Sequence, residues 1–136
     1  MWIKQAGATA IEFALVLPLY LLVIDGVLEL SMLMYDQCIV LNAAREAART
    51  GVVLSDPKMS ATDIAAVANT YAQQYLLSFG ATDAVNISVT PSADGSFQTP
   101  LNVTVSYTYT SLLAGNLLSA LHSPVLLTSS VTLLNE

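Results

Sequence analysis

From Phe13 to Ile24 the chain carries twelve consecutive residues without a charge, and the apolar run continues to Met34 if two acids are tolerated. This run limits the fold more than any other feature, because a helix needs about 20 apolar residues to cross about 30 Å of hydrocarbon. The uncharged core alone is too short. The longer run suffices but takes in Asp25 and Glu29, which stand four residues apart on one helix face. Either the bilayer segment is short and these acids sit at the outer headgroups, or they lie inside and find partners in an assembly. Pro18 removes one backbone hydrogen bond inside the helical pattern and predicts a kink, with Gly26 a second weak point.

A third acid, Glu12, opens the run. At about 100° per residue it points to a different side of the helix from Asp25 and Glu29. A buried carboxylate is costly unless something pairs with it. One reading makes Glu12 an interfacial acid at the positive end of the helix dipole. The other gives it a cationic partner from a second copy. The residues before it favour the second. Met1 to Gly7 form a short leader with one basic residue, Lys4, and the small residues Ala6-Gly7-Ala8 precede the apolar run. Secretory signals place the apolar region before the cut, so a peptidase cutting on the cytoplasmic side fits better. A cut after Gly7 gives Ala8 a free amine and makes Glu12 the fifth residue of the mature chain. One subunit's Glu12 then neutralises the next subunit's amine, and only the correct stagger makes its burial tolerable.

Composition agrees with an anchor bearing an exported domain. Hydrophobic residues make up 54% and charged residues 10%, against about 45–50% and about 25% in globular domains. The excess lies before Tyr35, and Trp2 and Tyr35 bracket the segment as interfacial aromatics do. With four Lys and Arg against ten Asp and Glu, the net charge is −6. That argues against a nucleic-acid partner, which requires clustered cations. Lys4 lies on the inner side under this orientation, while Arg45 and Arg49 on the outer side run against it. A single cysteine excludes an intrachain disulfide and multi-cysteine metal sites.

Beyond Tyr35 the pattern stays helical to Thr50. Ala43, Ala44, Ala47 and Ala48 make a flat face for close packing, Arg45 and Arg49 suit the negative end of the helix dipole, and Gly51 reads as the residue just past the helix. Asp56-Pro57 predicts a turn. Ser60-Ala61-Thr62-Asp63 resembles a capping box. It opens a second helix with an apolar stripe of Ile64, Val67, Ala68, Tyr71, Tyr75, Leu76 and Phe79, ended by Gly80. The period then drops to two. Val85, Ile87 and Val89 alternate with polar residues, a turn follows at Ser92-Ala93-Asp94-Gly95-Ser96, and Leu101, Val103, Val105, Tyr107 and Tyr109 form the clearest strand. Leu112 to Ser123 reads as a short apolar excursion with a turn or two of helix. Val125, Leu127, Val131 and Leu133 mark a third strand. The expected architecture is α+β: a long kinked N-terminal helix, membrane-spanning in its lower half, packed with a second helix on a three-stranded antiparallel sheet. The expected divisions are a leader at 1–7, a transmembrane part at 8–35 and an extracytoplasmic domain at 36–136.

No catalytic constellation emerges. Cys38 and His122 are far apart in sequence, and the bland reading of each is a small buried residue and a loop residue. No serine sits in a nucleophile elbow and no glycine loop cradles phosphate. Asn86-Ile87-Ser88 and Asn102-Val103-Thr104 match the glycosylation pattern, as alternating strands readily do by chance. No cofactor and no small-molecule substrate are expected.

Two stretches together carry a family resemblance: Gly7-Ala8-Thr9-Ala10-Ile11-Glu12-Phe13-Ala14-Leu15-Val16-Leu17-Pro18, and Asn42-Ala43-Ala44-Arg45-Glu46-Ala47-Ala48-Arg49-Thr50-Gly51. The start resembles a type IV pilin-like precursor. The pair resembles the TadE-like family, pseudopilins or minor pilins of the tight-adherence (Tad/Flp) pilus system of bacteria. The resemblance implies cleavage between Gly7 and Ala8 by a prepilin peptidase and assembly through Glu12, Phe13 and Pro18. It also implies a single-pass inner-membrane protein with its C-terminal domain in the periplasm. Implied partners are other pilins, pseudopilins and inner-membrane assembly proteins. Phe13 stands where some members have tyrosine. Two alternatives remain: an uncleaved single-pass adaptor of a secretion or pilus machine, and a membrane-tethered enzyme.

Overall fold

A computed structural model describes residues 3–77, 85–90, 96–110 and 124–136, with side chains from residue 7 onward. The expected turn at Ser92–Gly95, the Leu112–Ser123 excursion, Trp2, Phe79, Gly80 and His122 lie outside the described residues.

The first helix, α1, runs from Ile3 to Val52, fifty residues in one element, or about 75 Å at 1.5 Å per residue. It continues unbroken through Pro18 and Gly26. Pro18 has no N–H to offer the carbonyl of Ala14, but the surrounding turns hold the helix across that gap. The two halves of α1 differ in surroundings. From Gly7 to Ile24 every residue is exposed, whereas Asp36, Ile39, Val40, Ala43, Ala44, Ala47, Ala48, Gly51 and Val52 are buried. Those buried positions recur every three to four residues, so one face of the upper half is the floor of the core.

The second helix, α2, spans Ala61–Tyr75 and lies against that floor. Its start is the expected capping box. Ser60 Oγ accepts from Asp63 N–H at 3.2 Å, and Asp63 Oδ2 accepts from Ser60 N–H at 3.3 Å. The contact is built of small residues. Ala44, Ala47 and Ala48 on α1 and Ala68 and Ala72 on α2 are fully buried, so the backbones approach closely. The end of α2 is not where the apolar stripe placed it. The helix stops at Tyr75, Leu76 turns extended, and Tyr75 is 42% exposed while Ala72 takes the buried place. The stop comes from outside the helix: the carboxylate of Asp36 on α1 accepts the Leu77 N–H at 3.0 Å. That bond draws the chain away from the helical path.

The sheet has three antiparallel strands in the order β1-β2-β3: β1 Asn86–Thr90, β2 Pro100–Tyr109 and β3 Val125–Leu134. Central β2 alternates as read. Leu101, Val103, Val105, Tyr107 and Tyr109 are all buried against the helices. Val103 lies between Val89 of β1 and Val131 of β3. In β3 the inward phase is mixed: Leu127 is buried and Val131 partly so, but Ser129 takes the place between them and accepts from Gln37 Nε2 of α1 at 3.1 Å. The outward face carries Asn, Ser and Thr in cross-strand register. Asn102 Nδ2 donates to Ser130 Oγ at 2.9 Å and Thr132 Oγ1 at 2.8 Å. At the top the C-terminus is tied down by Glu136 N–H to the Val52 carbonyl (3.2 Å) and by Lys58 Nζ to Asn135 Oδ1 (2.8 Å).

Gly51 is a second correction. It does not follow the helix but lies inside it, buried. A Cβ there would meet Leu101 Cδ2 at 2.6 Å and Ile64 Cδ1 at 2.7 Å. Its role is clearance for the core, not a left-handed turn. Cys38 is a third: it is exposed, because residues 36, 39, 40 and 43 define the inward face of α1 and 38 falls beside it.

Candidate functional site

Among the described residues, none packs on the lower part of α1. Its most apolar eighteen-residue window has a mean hydropathy of 2.1, and none of that window is buried. Leu15 is 74% exposed, and residues on every side of the helix share this exposure, including Phe13, Leu19 and Val23. A helix apolar all round is stable only when lipid or other helices surround it. This one helix is long and apolar enough to anchor the chain in a membrane. Gly7, Ala8, Glu12, Phe13 and Pro18 all lie on this bare stretch and are exposed. At Gly7 nothing lies within 4 Å of where a Cβ would be. Glu12 falls a little over one turn above Gly7, a lone carboxylate among uncharged residues.

Higher up, the acids meet the sheet. Asp25 and Glu29 are partly covered, and Asp36 is completely buried on the same face of the helix. The hydroxyl of Tyr109, the last inward residue of β2, donates to Glu29 Oε1 at 3.0 Å. Glu29 Oε2 is buried without a hydrogen-bond partner, and so is Asp36 Oδ2. Burial pushes the Asp36 carboxyl above its ordinary range, partly offset by the Leu77 N–H. The Tyr109 phenol is also pushed up, first by burial and then by the bond to Glu29 and the negative charges of Glu29 and Asp36. With Met32 and Leu33 packed against the core, the foot of the domain reaches down the helix to Glu29.

Sequence reasoning singled out Asp25 and Glu29 but missed Asp36 and Tyr109. The available signal was the position of Asp36, eleven residues past Asp25 and so on the same face, together with a strand ending on an inward tyrosine. Arg45 and Arg49 are exposed on the opposite side of α1. Glu46 beside them lines a shallow open groove of about 370 Å³ with Ala66, Val67, Thr70, Tyr71 and Gln74 of α2. Among the described residues no group of three or more His, Cys, Asp or Glu is placed to hold a metal. Of the glycosylation-pattern asparagines, Asn102 spends its amide in the cross-strand ladder.

The model of a family described as TadE-like protein matches residues 7–49. The match begins at Gly7 and ends at Arg49. It takes in Glu12, Pro18, Asp25, Glu29, Asp36 and both arginines, and stops short of α2 and the sheet. The N-terminal part of the chain is thus similar to the family that its residues resemble. No curated protein and no solved structure matches the chain.

Proposed function

We propose that the chain is a pseudopilin or minor pilin of a tight-adherence (Tad/Flp) pilus. In this reading it is an inner-membrane precursor cut between Gly7 and Ala8 by a prepilin peptidase and assembled through the exposed lower half of α1. The observation that carries it is the stretch of α1 from Gly7 to Ile24, apolar, exposed on every side among the described residues, and holding a single acid, Glu12. The TadE-like match over the same residues points to pilus association.

The parts fit a physical sequence of events. Gly7 stands exposed in α1, and a glycine lowers local helix stability by about 1 kcal/mol. The peptidase therefore meets a bond that unwinds easily. The foot of the domain at Glu29 leaves Ala8 to Leu28 for the bilayer, about 31 Å of helix against about 30 Å of hydrocarbon. The α+β domain then stands in the periplasm, and its role is structural, not catalytic. Prepilin peptidase, other pilins or pseudopilins and the inner-membrane assembly proteins are its partners.

N-terminal sequencing and intact mass of the membrane-extracted protein test the reading. We expect a mature chain beginning at Ala8. A chain still beginning at Met1 in cells with active prepilin peptidase overturns it.

A further inference from the structure

Among the described residues, the acids at the foot of the domain lack a cation of their own. The chain has four Lys and Arg. Lys58 donates to Asn135 at the far end of the domain. Lys4 belongs to the leader. Arg45 and Arg49 stand at least sixteen residues above Glu29, about 24 Å up the helix and on its other side. Glu29 meanwhile keeps one buried oxygen with no hydrogen bond. Two like-charged pairs thus sit on one rigid helix. Asp25 and Glu29 are four residues apart, Arg45 and Arg49 are four residues apart, and twenty residues separate each acid from its matching arginine.

We infer that α1 carries a charge register for a second copy of this chain. The two helices pack in parallel, offset by twenty residues, so that Asp25 and Glu29 of one copy meet Arg45 and Arg49 of the next. The offset is about 30 Å along the axis, and the two pairs face about 200° apart around it. Near-opposite faces make the contact heterologous. Each copy receives on one side and donates on the other, which propagates as a fibre instead of closing as a two-fold dimer. Glu46, exposed beside the arginines, lies toward the groove that it lines with α2. The guanidinium forks suit partly covered carboxylates, to which they give charge-assisted bonds. The offset equals about one bilayer thickness. Two copies lying at equal depth in the membrane therefore cannot form the contact, and it forms only when one has moved outward past the other.

This inference rests on the assembly reading above. The test uses two differently tagged full-length copies in cells with the pilus machinery, and scores co-purification from the sheared surface fraction. Asp25→Arg with Glu29→Arg lowers co-purification by about tenfold or more, as does Arg45→Glu with Arg49→Glu. The four changes combined restore it. Reversals that co-purify like the parent chain, or a four-fold swap that stays as low as the doubles, overturn the register. A disulfide measurement covers the case in which the reversed chains do not accumulate. In a Cys38→Ser background, Asp25→Cys chains expressed with Arg45→Cys chains form a mixed dimer. Predominance of Asp25→Cys homodimers instead places the copies at equal height and overturns the offset. Absence of the parent chain itself from the surface fraction sinks the assembly reading, a separate outcome from a failed swap.

Discussion

Tyr109 donates a hydrogen bond from its hydroxyl to Glu29 across 80 positions of sequence, at 3.0 Å. This bond joins the last inward residue of β2 to the helix at the foot of the domain. It also leaves Glu29 with one satisfied and one orphaned oxygen.

Tyr109→Phe removes the one hydrogen bond that carboxylate accepts among the described residues. A buried acceptor left without its donor costs about 1–3 kcal/mol, and partial exposure of Glu29 places the loss at the lower end. Thermal melting of the detergent-extracted protein should show a drop of several degrees. In a double-mutant cycle with Glu29→Ala, which removes the acceptor, the two losses should fall short of additivity. Strict additivity would show that the pair does not act as a unit.

Gly51→Ala sets two effects against each other. Alanine gains about 1 kcal/mol of helix propensity over glycine. The new Cβ meets Leu101 Cδ2 at 2.6 Å and Ile64 at 2.7 and 3.1 Å, and overpacking costs about 1–3 kcal/mol. The clash involves two side chains at once, so a net loss is expected, larger still for Gly51→Val. A rise in melting temperature for Gly51→Ala would mean the core yields freely there.

Asp36→Asn tests the buried acid. Its folded carboxyl titrates above the ordinary value of 3.8 because of burial. The folded state therefore holds its proton more tightly than the unfolded chain. The stability this contributes is complete below about pH 4 and is lost as pH rises through the raised value. The amide keeps an acceptor for the Leu77 N–H without a charge. The variant should melt a few degrees above the parent at pH 7, and the gap should close toward pH 4. A gap that widens on acidification would contradict the assignment.

Glu12→Ala leaves anchoring and processing intact under the proposed function, because neither uses the carboxylate. Incorporation into surface fibres should fall to background in sheared fractions while the membrane pool keeps a normal mature mass. Normal fibres would remove Glu12 from assembly.

What could be read before folding followed from local chemistry. Strand β2 was legible because one buried face imposes period two on Leu101 through Tyr109, and the start of α2 because its cap is complete within Ser60–Asp63. The end of α2 was not legible, since Asp36 sets it from another helix. Gly51 misled for a similar reason: a glycine near a helix end usually marks a left-handed turn, and only Leu101 and Ile64, distant in sequence, reveal its packing duty. The acids of α1 could be counted from the sequence, but their cover by Tyr109 could not.

The continuity of α1 has a mechanical consequence. One element enters the proposed bilayer at its base and forms the floor of the sheet core at its top, with no linker between them. Any axial pull or rotation applied to the lower half reaches the domain undiminished, as through a piston rod. The soft joint, where Pro18 omits a hydrogen bond, lies near the base, so bending work concentrates there. A machine that grips the helix low down therefore moves the whole domain as a load on a stiff shaft, about 5.4 Å for each helical turn of travel.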